Sequence, residues 1–394
     1  MKDRNHLANI GLIHQVNVIE NGLMDIPMLQ VLQPDGTLQP SAELPDITQQ
    51  TSLKILETMQ YVRVLDERMV AAQRQGRISF YLACTGEEAS TVASAAALEP
   101  QDMIMSQYRE QGALAYRGFS SKEFMDQMFS NQNELNKGRQ MPIHYGSKAL
   151  NFMTISSPLG TQIPQASGYA YGQKMAGLEA VTICYFGEGA ASEGDFHAGL
   201  NMAAVLNCPA IFFCRNNGYA ISTPSEEQFK GDGIASRGIG YGVRTIRVDG
   251  NDVLAIYTAT QKARIIALEF ECPVLIEAMT YRLAAHSTSD DPSSYRSKDE
   301  EQRWHSKDPI IRFKTWMQSK GWLDESQNLS FIEQTRQDVL QQLKIAERVP
   351  ICPIEQIIED VYDTPPRHLK AQLAELKTHI DMYPQAYPKT SGRP

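Results

Sequence analysis

Between Val181 and Thr223 the chain places one carboxylate, Glu188, inside a Gly187-Glu188-Gly189 turn, and two amides, Asn216 and Asn217, follow Gly189 after 26 intervening residues. The two glycines let backbone amides come close to a ligand. The helix expected next sets its N-terminal dipole beside the turn, a place that favours an anion. A pyrophosphate laid directly on that turn would be repelled by Glu188. A divalent cation between them removes the conflict, because magnesium takes six hard oxygens and uses one or two protein oxygens together with phosphate oxygens. Asn217 is suited to supply the neutral one. The competing reading is a dinucleotide turn with Gly187, Gly189 and Ser192 as its small positions. A strand ending Arg215-Asn216-Asn217 lacks the acidic residue that would hold a ribose. A lone glycine pair is a weak signal; here spacing and charge agree on a metal-bridged diphosphate.

These residues need rigid elements behind them. Val181 to Phe186 is almost wholly apolar, as a strand buried on both faces would be, and Ala210 to Cys214 repeats the pattern. Asp195 to Leu206 reads as the helix between them, ended by Pro209. From Ser79 to Met279 buried strands alternate with small-residue helices, which predicts an α/β fold: a parallel sheet with helices on both faces. Residues 1–50 read as an extended N-terminal arm packed on a larger body, 51–364 as the α/β domain, and 365–394 as a C-terminal helix and tail. Leu53, Leu56, Met59, Leu65, Met69 and Ala72 fall at helical spacing, with Gly76 placed as a stop. Arg282 to Gln302 is polar and reads as a long loop carrying His286. Asp308-Pro309 opens a helix through Ile311 to Lys320, stopped by Gly321. After Pro365-Pro366, Leu369, Leu373, Leu376, Ile380 and Tyr383 form an amphipathic stripe.

Composition sets the outer limits. The 394 residues, 42% hydrophobic, suffice for one large domain or two ordinary ones. A net charge of −9 without long basic runs argues against nucleic acid or an anionic membrane as partner. Cys84, Cys184, Cys208, Cys214, Cys272 and Cys352 are scattered without CxxC spacing and read as reduced core residues. With no apolar signal core or transit-type composition in residues 1–30, the expected location is cytoplasmic. No apolar run approaches a membrane span.

Gly187-Glu188-Gly189 followed by Asn216-Asn217 resembles the thiamine diphosphate fingerprint, in which an acidic residue and an Asn hold magnesium. The common form has Asp at the centre. Glu188 is the variant of one branch, and further words narrow it: Arg77 to Tyr81, Gln107-Tyr108-Arg109-Glu110, Gly138 to Pro142, and Tyr281 to Asp291. Together they resemble the alpha subunits of the branched-chain 2-oxo acid dehydrogenase decarboxylase component, the 2-oxoisovalerate dehydrogenases. The resemblance covers roughly residue 50 to the C-terminus and implies a thiamine diphosphate-binding fold.

The resemblance implies a role for each of several residues. Glu188, Asn217 and the backbone carbonyl of Tyr219 hold magnesium. Tyr108, Arg109, Ser157, Gly189, Ala190, Arg215 and His286 contact the cofactor. The planar guanidinium of Arg109 suits two parallel hydrogen bonds to phosphate, and Arg215 is expected to point at the same group. Ser156, Pro158, Thr161 and Gln162 resemble a potassium-holding turn, although an ordinary Ser/Pro loop is the bland alternative. Gln107, Tyr108, Ser157 and also Phe80 would line the substrate pocket. His286 is the catalytic candidate, since a near-neutral pKa suits proton transfer to sulfur or a carbonyl oxygen. Relatives often carry a His before it, and this chain has Ala285. His144 stands open between a cofactor-side and a structural role; His197, borne on a helix, reads as structural. Ser287 and Ser297 resemble kinase-controlled serines of animal relatives.

The chemistry so implied is oxidative decarboxylation of branched-chain 2-oxo acids, such as 3-methyl-2-oxobutanoate, with transfer of the acyl group to the lipoyl disulfide of a partner acyltransferase. None of the motifs supplies a carboxylic acid to activate the cofactor. In the resembled family it comes from a beta subunit, which implies an assembly of two alpha and two beta chains. Pyruvate and acetoin enzymes share the architecture, and a few methylenes discriminate by only ~1–3 kcal/mol. Rivals of other classes are a noncatalytic diphosphate-binding module and an NADP-binding protein relying on Arg215.

Overall fold

The computed structural model describes residues 26–387 and the isolated residue 15. Most of the expected arm's first half, with His6 and His14, and the last seven residues of the tail lie outside the described residues. The strands are β1 (Met28–Leu29), β2 (Met103–Met105), β3 (Thr182–Gly187), β4 (Ala210–Asn216), β5 (Tyr219–Ala220), β6 (Thr223–Pro224), β7 (Arg244–Asp249) and β8 (Val274–Met279). The helices that matter below are α1 (Gln49–Arg74), α2 (Glu88–Ala96), α3 (Gln111–Tyr116), α4 (Ser121–Phe129), α5 (Gln162–Met175), α6 (Gly194–Leu206), α7 (Ser225–Gln228), α8 (Ala235–Gly240) and α9 (Val253–Glu269). Four more follow: α10 (Lys298–His305), α11 (Pro309–Ser319), α12 (Glu325–Ala346) and α13 (Arg367–Met382).

Six strands form one sheet in the order β1-β7-β8-β4-β3-β2, every pair parallel. Parallel pairing demands a crossover between strands, and the crossovers cover both faces. Alternate residues separate the two cores. Ile183, Tyr185, Ile211, Phe213, Ile276 and Ala278 face the larger core with α1, α2, α3 and α9. Cys184, Phe186, Phe212, Cys214 and Leu275 face the smaller one with α5 and α6. The sheet is thus buried on both sides, which is why its strands read as unbroken apolar runs. Close approach of α6 to α5 depends on Gly199, where an added Cβ would lie 2.8 Å from Ile163 Cγ2.

The N-terminal arm joins this body at the sheet edge. Met28 and Leu29 pair with Arg247 and Val248 of β7, and Val31 and Leu32 are buried. Asp252 fixes that entry by accepting the Val31 and Leu32 amides at 2.7 and 2.6 Å. Helix α11 begins where Asp308-Pro309 predicts, with Asp308 capping the amides of Ile310 and Ile311.

The stretch from Arg282 to Gln302 departs from the expected loop. A short 3-10 turn forms at Pro292–Ser294, and α10 starts at Lys298. Ser297 caps it by accepting the Glu300 amide at 3.1 Å, and Asp299, Glu300 and Glu301 occupy the dipole-favoured first turn. The helix has no buried residue and therefore no apolar period to reveal it. In α13 the stripe Leu369, Leu373, Leu376 and Ile380 is only half-buried, and Tyr383, expected as its last member, lies just past the helix end and is exposed. No described helix is long and apolar enough to cross a membrane.

Candidate functional site

The C-terminal ends of β3, β4 and β8 lie side by side, with Gly187 opposite Arg215 and Arg215 opposite Ala278. This register sets Glu188 next to the two asparagines. Glu188 is 1% exposed. Its Oε2 accepts the Asn217 amide at a long 3.4 Å, and its Oε1 has no partner. Burial pushes its carboxyl up to about 7. A buried carboxylate oxygen is costly unless a donor or a cation satisfies it.

Asn217 faces the same space. Its Nδ2 donates to Glu87 Oε1 at 2.8 Å, and its Oδ1 accepts the Tyr219 amide at 3.2 Å with a lone pair to spare. Among the described residues no group of three or more His, Cys, Asp or Glu is placed to hold a metal. The donor set here is one carboxylate, one amide oxygen and backbone, the sparse set that suits magnesium carried on a phosphate. Gly189 lets the β5-β6 hairpin press on the turn, since an added Cβ would sit 2.7 Å from Ala220 Cβ. Ala190 is buried and opens a 3-10 turn before α6.

The arginines differ from expectation. Arg215 does not offer a free fork: Nε lies 2.7 Å and Nη2 2.5 Å from Glu110 Oε1, and Nη1 lies 3.0 Å from Glu87 Oε2. All three residues are buried. Burial and two arginines pull Glu87 in opposite directions; the charge of Arg215 and then Arg109 outweighs desolvation and holds its carboxyl below the ordinary value. Arg215 is therefore spoken for as the floor of the site, which also removes the free guanidinium that an NADP reading requires. Arg109 likewise donates through Nη1 to the Ala83 carbonyl and through Nη2 to the His286 carbonyl at 2.5 Å, so a parallel two-bond fork is not the arrangement seen.

His286 sits between two guanidinium groups, its Nδ1 3.2 Å from Arg109 Nη2 and 3.4 Å from Arg282 Nη1. Both neighbours are donors, so the neutral ring carries its proton on Nε2. Burial first, then Arg109 and Arg282, lowers its pKa to about 4. The expected near-neutral value is corrected: Arg109 is 177 positions away in the chain, and the fold turns Arg282, four positions earlier in the same word, onto the ring as well. Asp290 Oδ2 accepts the His286 amide at 2.7 Å and the Tyr295 hydroxyl at 2.6 Å. Arg296 ties the loop from beneath through the carbonyls of Arg282 and Ala284. Tyr108 stands edge-on to the imidazole, with ring centroids 6.3 Å apart.

The other candidates divide. Ser157 is exposed, and its hydroxyl lies 2.7 Å from His144 Nε2 while His144 Nδ1 lies 3.0 Å from the Pro142 carbonyl. Since a carbonyl only accepts, the Nδ1 proton is fixed and the serine donates to Nε2. Thr161 Oγ1 is 3.1 Å from both Ser156 Oγ and the Pro158 carbonyl, so three of the four potassium-turn residues converge. Gln162 instead donates to the Tyr185 carbonyl. Gln107 spends its side-chain carbonyl on the Gly187 amide at 2.9 Å, and Phe80 packs on the larger core. His197 meets the Tyr241 hydroxyl on the surface of α6, away from the site. A cavity of about 740 Å³ opens beyond Asn217, lined among others by Tyr219, Phe229, Tyr281, Glu300 and Trp304, and shares none of Arg109, Glu188 or His286.

Glu87, Glu110 and Arg282 went unassigned in the sequence. Three basic groups expected around one carboxylate already signalled the need for further buried acids.

A model of the dehydrogenase E1 component family matches residues 56–355. The mitochondrial 2-oxoisovalerate dehydrogenase subunit alpha of Caenorhabditis elegans is 51% identical over 365 residues, 92% of this chain and 84% of the relative. That of Homo sapiens is 50% identical over 383 residues, 97% of this chain and 86% of the relative. Subunit alpha 1 of Arabidopsis thaliana is 48% identical over 383 residues, 97% of this chain and 81% of the relative. These names correct the cytoplasmic expectation, since all three are mitochondrial proteins and point to that compartment. Free cysteines report only reducing conditions, which the cytosol shares with the mitochondrial matrix.

Proposed function

Because this chain belongs to the dehydrogenase E1 component family, we propose that it is the alpha chain of a thiamine diphosphate-dependent decarboxylase acting on branched-chain 2-oxo acids such as 3-methyl-2-oxobutanoate. The observation that carries this reading is 50% identity to a 2-oxoisovalerate dehydrogenase alpha subunit over 97% of the chain. The orphaned Glu188 oxygen beside Asn217 supports the metal-bridged diphosphate.

When bound, thiamine diphosphate supplies the electron sink that lets carbon dioxide leave a 2-oxo acid. Glu188, Asn217 and the carbonyl of Tyr219 would hold magnesium, with the phosphate oxygens completing its shell. Arg109 and Arg282 give that end of the site positive charge, and Arg282 Nε is buried without a partner. Tyr108, Ser157, Gly189 and Ala190 would flank the cofactor. Arg215 contributes through the floor it forms with Glu87 and Glu110. His286, held neutral, offers its Nε2–H as a donor to an oxygen of the reacting acyl group. Ser156, Pro158 and Thr161 are candidates to hold potassium.

A beta chain would supply the acid that activates the cofactor, in an assembly of two alpha and two beta chains, and a lipoyl-bearing acyltransferase would take the acyl group. Co-expression with a candidate beta chain, followed by carbon dioxide release from a panel of 2-oxo acids, tests this. The branched acids are expected to lead. Preference for pyruvate overturns the substrate assignment, full activity of the alpha chain alone overturns the half-site, and cofactor binding without turnover in the pair points to a noncatalytic module.

A further inference from the structure

We propose that Glu87 is a positioning residue that decides which atom of Asn217 faces the metal. This rests on the metal reading of Glu188 and Asn217.

An Asn side chain is nearly symmetric in shape but not in chemistry: one end accepts and the other donates. Turned the wrong way, Asn217 would present an NH2 group to a cation. An ionised carboxylate can only accept, and Glu87 Oε1 accepts from Asn217 Nδ2 at 2.8 Å. Its Oε2 is held by Arg215 Nη1 at 3.0 Å, so the carboxylate cannot swing away to satisfy another group. Fully buried, it has no water to bond instead. The backbone beneath it is equally confined. Gly86, at φ +100, lies in territory that favours glycine, and an added Cβ there would lie 2.4 Å from the Tyr281 carbonyl oxygen. The Tyr219 amide, 3.2 Å from Asn217 Oδ1, favours the same orientation from the other end. Glu87 therefore acts on the metal through Asn217 without touching it, as groups behind metal ligands commonly do.

The test is metal titration of the full chain in complex with its beta chain, using manganese in place of magnesium and paramagnetic resonance as readout, with thiamine diphosphate present. Glu87→Gln removes the obligatory acceptor and is expected to weaken manganese binding roughly 10- to 100-fold. Glu87→Gln combined with Asn217→Asp reverses the hydrogen bond: the Gln amide donates, the Asp carboxylate accepts, and the total charge matches the unaltered protein. Both Asp oxygens can ligate, so the pair is expected to recover most of the affinity. Equal binding by the single variant and the unaltered protein overturns the proposal. So does loss in the single variant without recovery in the pair, the result expected of a merely structural acid. If the unaltered protein binds no manganese, the underlying metal reading falls and this one with it.

Discussion

Arg109 meets His286 at two points: its Nη2 donates to the His286 carbonyl oxygen at 2.5 Å and lies 3.2 Å from Nδ1 of the same residue. One side chain thus fixes the loop position, faces the ring's acceptor nitrogen and adds to burial in favouring the neutral form of the catalytic candidate. Arg282 presses the ring from a second direction at 3.4 Å. Two cations sharing one neutral imidazole favour an anion close by, and that is the electrostatic condition for a diphosphate.

The first prediction concerns that imidazole. With a folded pKa of about 4 against an ordinary 6.5, His286 stays neutral throughout the physiological range. Between those two values the unfolded chain binds more protons, so this residue's contribution is present above pH 6.5 and is lost as pH falls toward 4. Proton NMR should find no His286 titration between pH 5.5 and 8, and inorganic diphosphate should raise its pKa by offsetting the arginines. A titration centred near 6.5 in the unligated chain contradicts the geometry.

Glu188 carries the opposite sign. Its pKa, raised from 4.5 to about 7, means that the folded state holds the extra proton between those values. Stability without metal therefore falls as pH rises through that window, and a bound cation reverses the penalty. Magnesium-dependent cofactor affinity should climb with pH up to about 7, with proton release visible by calorimetry in buffers of different ionisation enthalpy. Glu188→Gln should abolish that dependence while unfolding at higher urea than the unaltered chain at pH 8. A Gln variant that still needs magnesium would sink the assignment.

Arg215→Met leaves Glu87 and Glu110 buried and unpaired, and breaking such a pair costs about 3–5 kcal/mol. Urea unfolding should register a loss of that order. The surface pair Lys314 and Glu325, 2.6 Å apart but solvent-exposed on the acid side, should cost at most about 1 kcal/mol when Lys314 is replaced by Met. Similar losses at the two sites would mean that the buried floor is not held by these charges.

Ser157 and His144 should act as a unit. Removing the 2.7 Å hydrogen bond from either side, by Ser157→Ala or His144→Gln, should weaken cofactor binding, and the double variant should be less impaired than the two losses added together. The coupling expected for one such bond is about 1 kcal/mol. Additive losses would show that the two residues serve separate purposes.

Tyr219→Phe should leave metal affinity intact, because the proposed role of Tyr219 uses only its backbone carbonyl. It does remove the hydroxyl that lies 3.0 and 3.1 Å from the Glu300 carboxylate at the start of α10. Limited proteolysis between residues 282 and 302 should therefore accelerate. A large drop in magnesium affinity would instead tie the hydroxyl to the metal site.

What the sequence determined by itself was whatever adjacent residues settle among themselves. Two apolar runs separated by a helix make neighbouring parallel strands, and parallel register alone brings Glu188 to Asn217. The words around His286 and Tyr108 named residues that the fold brings together from one loop and one strand end. Tertiary structure decided where charges point and how strongly they act. Arg215 turns into the floor because Glu110 and Glu87, 105 and 128 positions earlier in the chain, are buried against it. The His286 pKa is lowered because folding buries the ring and brings Arg109 to it from a distant segment, and α10 follows a polar cap with no apolar stripe to announce it. Strand pairing is a local, periodic property of the backbone, whereas a side chain's ionisation and direction depend on every charge that folding brings within a few ångströms.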